Sequence, residues 1–183
     1  MFAPVAVIVL TLDVLTKIAA VAWLRPGEAV PVLGDVLRLY LIRNPGAAFS
    51  IGESATWVFT LLAVAVLAFL MVAVVPRLRH RGWAVGLGLM AAGISGNLID
   101  RLFRPPGFAR GHVVDFLQLP YWPIFNVADM AVVFGTVCII FFWLVKGVGH
   151  DGVLEADREA ARKADQESAR EAARKIRQEP AGE

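Results

Sequence analysis

Four stretches of this chain carry apolar side chains over about the 20 residues that a helix needs to cross a bilayer's hydrocarbon core. They run from Pro4 to Leu24, Thr56 to Val75, Trp83 to Phe103 and Phe125 to Val145. The second carries no charge. The first is interrupted by Asp13 and Lys17, the third is glycine-rich and ends in Asp100-Arg101, and the fourth holds Asp129 near its start. The pattern predicts an all-α membrane protein with four transmembrane helices. Between spans the texture changes to partial alternation. VPVLGDVLRLYLIRN, closed by the turn signal NPG, and HVVDFLQL read as short strands that pair into a small sheet on the membrane surface. From Asp151 the chain turns to Ala, Glu, Arg, Lys and Asp, with REAARK at 158 and again at 170. Glu159–Lys163 and Glu171–Lys175 are favourable i,i+4 pairs, and no broad apolar stripe exists, which predicts a solvated helical tail. Residues 1–150 therefore form the membrane domain, with outer segments at about 25–55 and 104–124, and residues 151–183 form a charged tail.

Composition agrees with that division. Hydrophobic residues make up 57 % of the 183, too many for a soluble globule, and the net charge of +2 gives no case for nucleic acid. The lone cysteine, Cys138, excludes an internal disulfide and any multi-cysteine metal site, and its apolar surroundings make it a small hydrophobe rather than a nucleophile. Two charges and no small-residue cleavage site make the first span a retained helix, not a cleavable leader. The short loop PRLRHRG packs three arginines and a histidine into seven residues, which favours it as cytoplasmic. Both termini then lie inside and both longer loops outside.

Candidate chemistry sits at the outer boundary. Asp115 follows a run of β-branched residues, and Asp129 falls in the first turn of the fourth span, behind the natural N-cap Asn126. Two readings are open. Asp129 could simply complement the helix dipole, worth about 0.3–1 kcal/mol, and Asp115 could be a solvent-facing strand residue. Alternatively the two carboxylates meet. Like charges about 3 Å apart cannot both ionise, so one acid keeps a proton. The ionised partner can then activate a water, while the protonated one assists the carbonyl and the leaving amine. Such chemistry needs neither metal nor cofactor. In the third span Gly93, Asn97 and Arg101 share one helical face, with Asp100 beside them, and Gly88, Ala92 and Gly96 form a small-residue row for close helix approach. Asp13 and Lys17, spaced i,i+4, form an internal ion pair that neutralises both charges and can orient nearby backbone. Other chemistries lack parts. His112 has no paired serine or cysteine, Ser95 sits in no G-x-S-x-G elbow, and Asp13 would keep Lys17 protonated.

Taken in order, LDVLTK, RNPGAAF, GISGNLIDR, VVDF and FNVAD resemble the motifs of the bacterial lipoprotein signal peptidase family, also called signal peptidase II. The likeness spans residues 13 to about 130. It implies that Asp115 and Asp129 are a catalytic dyad. It further implies that Asn44, Gly46 and Phe49 belong to an N-x-G-x-x-F motif, and that Asn97, Arg101, Asn126, Asp13, Lys17 and Gly93 shape the site. The implied fold is four helices with a small extracytoplasmic β-cradle and a surface helix. The implied reaction removes the signal peptide from diacylglyceryl-modified prolipoproteins, just before the lipidated cysteine. Expected partners are those lipid-modified precursors and membrane lipid, with no nucleic acid, and the protein is expected as a monomer of the bacterial inner membrane. The alternative from another class is a four-span proton-linked carrier or scaffold without enzymatic activity. Relays, however, need titratable groups at several depths, and these acids cluster at one boundary.

Overall fold

The computed structural model describes residues 1–46 and 56–178, with side chains through Arg170. Phe49 and the Glu171–Lys175 pairing lie outside what is described. Four helices are long and apolar enough to cross a membrane. They are α1 (Phe2–Trp23), α2 (Thr56–Phe69, continued through a π-turn and a 3-10 turn to Arg77), α3 (Arg81–Phe103) and α4 (Val127–Ile140, continued through a π-turn to Val145). Three strands lie between them: β1 (Ala29–Leu33), β2 (Leu37–Asn44) and β3 (Val113–Gln118). A fifth helix, α5 (Glu155–Gln178), carries the charged tail. No separate surface helix occurs in the outer segments among the described residues.

The least apolar span is the central one. Half of the apolar stretch of α3 is buried, whereas in the other three spans less than a fifth is. Its small residues explain this. Gly88 lies against the Phe2 carbonyl and Val5 of α1, and Gly86 meets the Gly135 carbonyl of α4. Without a hydrophobic drive between helices in lipid, such close backbone approach is what holds spans together.

The sheet runs β1-β2-β3, all antiparallel, with Asn44 opposite Val113 and Ile42 opposite Asp115. Side chains alternate along a strand, so neighbours in β3 face opposite ways. Val114 and Phe116 pack with Ala20 and Leu41 into a core that fastens the sheet to the end of α1. Asp115, between them, is left to face the helix ends. After β3 the chain doubles back: the amides of Phe116 and Leu117 donate to the Phe125 carbonyl, and Phe125 donates to Leu117. That return delivers Asn126 beside Asp115 and starts α4.

At the opposite end of the bundle, the segment after α4 docks on the short α2–α3 loop. Trp83 Nε1 donates to the Val148 carbonyl at 2.8 Å, and the amides of Arg79 and His80 donate to His150. Arg158 pairs with Asp151 ahead of the exposed α5, and Lys163 pairs with Glu159 at 3.2 Å as its spacing predicts.

Candidate active site

Asp115 and Asp129 are joined through a single residue, Asn126. Its Nδ2 donates to Asp115 Oδ1 at 2.7 Å. Its backbone amide donates to Asp129 Oδ2 at 3.1 Å, and its Oδ1 accepts from the Asp129 amide at 2.9 Å. The last two bonds form a reciprocal capping box at the start of α4. The N-cap reading and the dyad reading of this stretch are thus compatible: the cap that starts the helix also binds the second acid.

Two further amides complete the ring. Asn44 Nδ2 donates to Asp115 Oδ2 at 2.8 Å, while Asn44 Oδ1 accepts from the Gly46 amide at 2.8 Å. Asn97 Nδ2 donates to Asp129 Oδ1 at 2.8 Å. All four carboxylate oxygens therefore face one N–H donor each. The direction of each amide is fixed by what holds its oxygen, which resolves the usual ambiguity of amide orientation. Asn97 Oδ1 accepts from Lys17 Nζ at 2.9 Å and from Asn126 Nδ2 at 3.1 Å.

Lys17 is the hub beneath the pair. Its ammonium ion-pairs with Asp13 Oδ2 and Asp100 Oδ2 and donates to Asn97 Oδ1, each at 2.9 Å. All three charged side chains are buried, Asp13 completely. The anticipated internal pair is in fact a triad. Asp100 also accepts from the Val114 amide at 3.2 Å and pairs with Arg104, so it ties α3 to β3 immediately beside Asp115. Asp13 Oδ1 accepts from the Ala128 amide at 2.8 Å and so ties α1 to the first turn of α4. The sequence put Asp100 on the polar face of the third span but gave it no partner. The i,i+4 spacing of Asp100 and Arg104 was the available signal.

Glycine is required where these elements converge. A Cβ at Gly96 would overlap Asp13 Oδ2, and one at Gly93 would overlap the Ala128 carbonyl. Gly46 adopts a φ of 107°, where a side chain would also press on the Phe59 ring.

Burial pushes the Asp115 carboxyl up to about 6, with the charge of Asp129 adding to the rise and the Asn44 and Asn126 donors opposing it. A groove of about 540 Å³ opens beside Asp129. Arg101, Asn97 and Gly93 line its polar end, and Phe59, Leu62, Val66 and Val133 line the rest. The Arg101 guanidinium lies 5.3 Å from the Phe59 ring centroid, and its buried Nη1 has no hydrogen-bond partner among the described residues. Arg101 thus lies at the groove's polar end and, among the described residues, forms no hydrogen bond or ion pair with either aspartate. Phe59 was not foreseen, because nothing separates it in sequence from the other apolar residues of α2. Thr56 and Thr60, likewise unforeseen, pin α2 to the outer loops through the Pro45 and Ala109 carbonyls at 2.8 and 2.9 Å.

A family model described as signal peptidase (SPase) II matches residues 5–145. Among curated proteins, a lipoprotein signal peptidase of Leifsonia xyli is 47 % identical over 86 % of this chain and 73 % of its own length. Another, from Mycobacterium tuberculosis, is 49 % identical over 76 % of this chain and 69 % of its own length. Among solved structures, two of a bacterial membrane enzyme align with TM-scores of 0.64 and 0.65 at 28 % identity. They cover 79 % and 78 % of this chain, and 87 % and 91 % of theirs. Taken with four membrane-length helices and acids gathered at their ends, these matches show that the chain belongs to the signal peptidase II family of membrane peptidases.

Proposed function

We propose that the chain is an aspartic endopeptidase that removes the signal peptide from diacylglyceryl-modified prolipoproteins, cutting before the lipidated cysteine, with Asp115 and Asp129 as its catalytic pair. The observation that carries this reading is Asn126, whose amide and backbone tie both acids together beside an apolar groove that Asp129 lines. The pair works with one proton. Its ionised carboxylate takes a proton from a water as that water's oxygen bonds the scissile carbonyl carbon. The protonated partner hydrogen-bonds the carbonyl oxygen, and the amine leaves with a proton as the C–N bond breaks. Three asparagine donors keep the carboxyl planes fixed throughout, so little reorganisation is needed. Arg101, at the polar end of the groove, takes a substrate carbonyl, while the acyl chains stay in lipid along α2. The exposed Trp57, Val58, Leu61 and Leu62 give that helix a face suited to them.

In this reading the sheet and the dyad face the cell exterior, residues 151–183 lie in the cytoplasm with the N-terminus, and the membrane is the bacterial inner membrane. The protein acts as a monomer on lipid-modified precursors. The test is cleavage of a purified precursor by the full chain in detergent. The diacylglyceryl-modified precursor should yield the shortened product, while the same precursor without lipid should not. Equal cleavage of both would sink the lipid requirement, and cleavage of neither would sink the assignment.

A pH profile follows from Asp115. Its proton is held more tightly in the folded protein, at about 6, than at the ordinary value of 3.8. Stability from that proton is therefore full below the lower value and is lost as pH rises through the upper one. The singly protonated pair is depleted over the same range. In the free enzyme kcat/KM should fall above pH about 6, by about tenfold per unit on the alkaline limb. Rates measured from pH 5 to 9 with the lipidated precursor check this, and a flat profile would contradict it.

A further inference from the structure

At the end of the bundle away from the dyad, the start of α1, the end of α2 and the start of α3 converge on a cavity of about 560 Å³. Phe2, Val75, Arg79, His80 and Arg81 are among its walls. The Arg79 and Arg81 side chains are exposed and have no ion-pair partner among the described residues. Neither α1 nor α3 carries an acid in its first turn to offset them. Asp151, in the segment that docks here, is already taken by Arg158. The backbone that presents the arginines is held by the His150 carbonyl, which accepts from Arg79 and His80 at 2.9 and 3.1 Å. This is a fixed basic rim with its charge unspent.

Phe2 is also a wall of a second cavity, of about 260 Å³, between α1 and α2. Its walls are almost wholly apolar, with Ala6, Leu10, Leu67 and Met71 at the sides and Ala91 and Ala92 of α3 as the floor. The two helices beside it barely touch one another. A basic pocket at the membrane boundary that shares the Phe2 wall with an apolar slot at hydrocarbon depth fits one chemistry. The ligand is an anion bearing a hydrocarbon chain.

We infer that the two cavities together form a binding site for one anionic phospholipid, its phosphate on Arg79 and Arg81 and an acyl chain in the slot between α1 and α2. A zwitterionic lipid offers the same phosphate, but its ammonium would face the arginines. Free phosphate fills the rim and leaves the slot empty. The arginine-rich loop is the one that charge distribution puts in the cytoplasm, where the leaflet surface is anionic. The bound lipid would fill the gap that α1 and α2 leave and brace them against α3. The site is separate from the dyad and does not depend on the peptidase reading.

The test uses the full chain in neutral detergent, titrated with phosphatidylglycerol, with phosphatidylcholine of the same acyl chains, or with inorganic phosphate. Thermal unfolding and lipid retention by native mass spectrometry are the readouts. Phosphatidylglycerol should be retained and should raise the unfolding temperature most. The double variant Arg79→Gln/Arg81→Gln should weaken its retention by roughly 25-fold, taking about fivefold for each basic side chain at a membrane surface. Met71→Trp, which narrows the slot, should weaken retention while both arginines remain. The site is overturned if phosphatidylcholine does as well, if phosphate alone reproduces the shift, or if either variant still holds phosphatidylglycerol like the parent.

Discussion

Asp115→Asn and Asp129→Asn should each lower kcat for the lipidated precursor by about 10⁴-fold, the upper end of what one proton-transferring group supplies. The large figure follows from the sharing. Either amide leaves the pair unable to hold one proton between two carboxyl groups, so neither remaining acid can play both parts. The double variant should therefore be no slower than the slower single one, because groups that act as a unit do not lose activity additively. The fold should survive. Asparagine matches aspartate in shape, but its NH₂ must oppose a donor. At 115 that donor is Asn44 or Asn126, and at 129 it is Asn97 or the Asn126 amide. One such mismatch costs about 1–3 kcal/mol, and removing a buried negative charge offsets part of it. Thermal unfolding beside the kinetics separates the two effects. A single variant that keeps even a tenth of the parent rate would remove that aspartate from the chemistry, and two independent losses that multiply would show separate duties instead of a shared one.

How legible this was differs along the chain, and the reason is range. Spans are a local property, so their hydropathy marked all four to within a few residues at each end. Strands β2 and β3 were readable because alternation is also local. Asn126 was readable as an N-cap for the same reason, but its second bond, to Asp115, crosses eleven residues of returning chain and has no local signature. Lys17 shows the limit most clearly. Its i,i+4 partner Asp13 could be seen in sequence, whereas Asp100 and Asn97 lie about 80 residues away and reach it only once small residues let α3 close on α1. Family resemblance supplied what spacing could not, by marking Asn97 and Lys17 as parts of one site without saying how they touch. Neither route gave Phe59, an ordinary apolar residue of α2 whose role is to lie under Arg101.

Lys17→Met should be the most damaging single change to the fold. Among the described residues it deletes the only cation that meets both Asp13 and Asp100, leaving two buried carboxylates with Arg104 as the remaining partner of one. Breaking a buried charge cluster in this way costs about 3–5 kcal/mol. The damage also reaches the dyad, since Asn97 Oδ1 loses its charged donor and keeps only the neutral Asn126 Nδ2 to hold the amide that aims Nδ2 at Asp129. The two effects can be pulled apart with the triple variant Asp13→Asn/Lys17→Met/Asp100→Asn. Its side chains are neutral and close to the native volumes, so unfolding in detergent should return most of the way to the parent temperature. The asparagine introduced in place of Asp13 can still accept from the Ala128 amide through its carbonyl oxygen, which keeps α4 in place. Activity should not return with stability. If Lys17 acts on catalysis through Asn97, the triple variant binds precursor with near-parent KM and retains a kcat at least about tenfold low, as expected when a positioning contact is lost. Full recovery of kcat would assign Lys17 to folding alone. Failure to recover stability would mean that the triad holds the helices by its charges and not merely by filling the space between them.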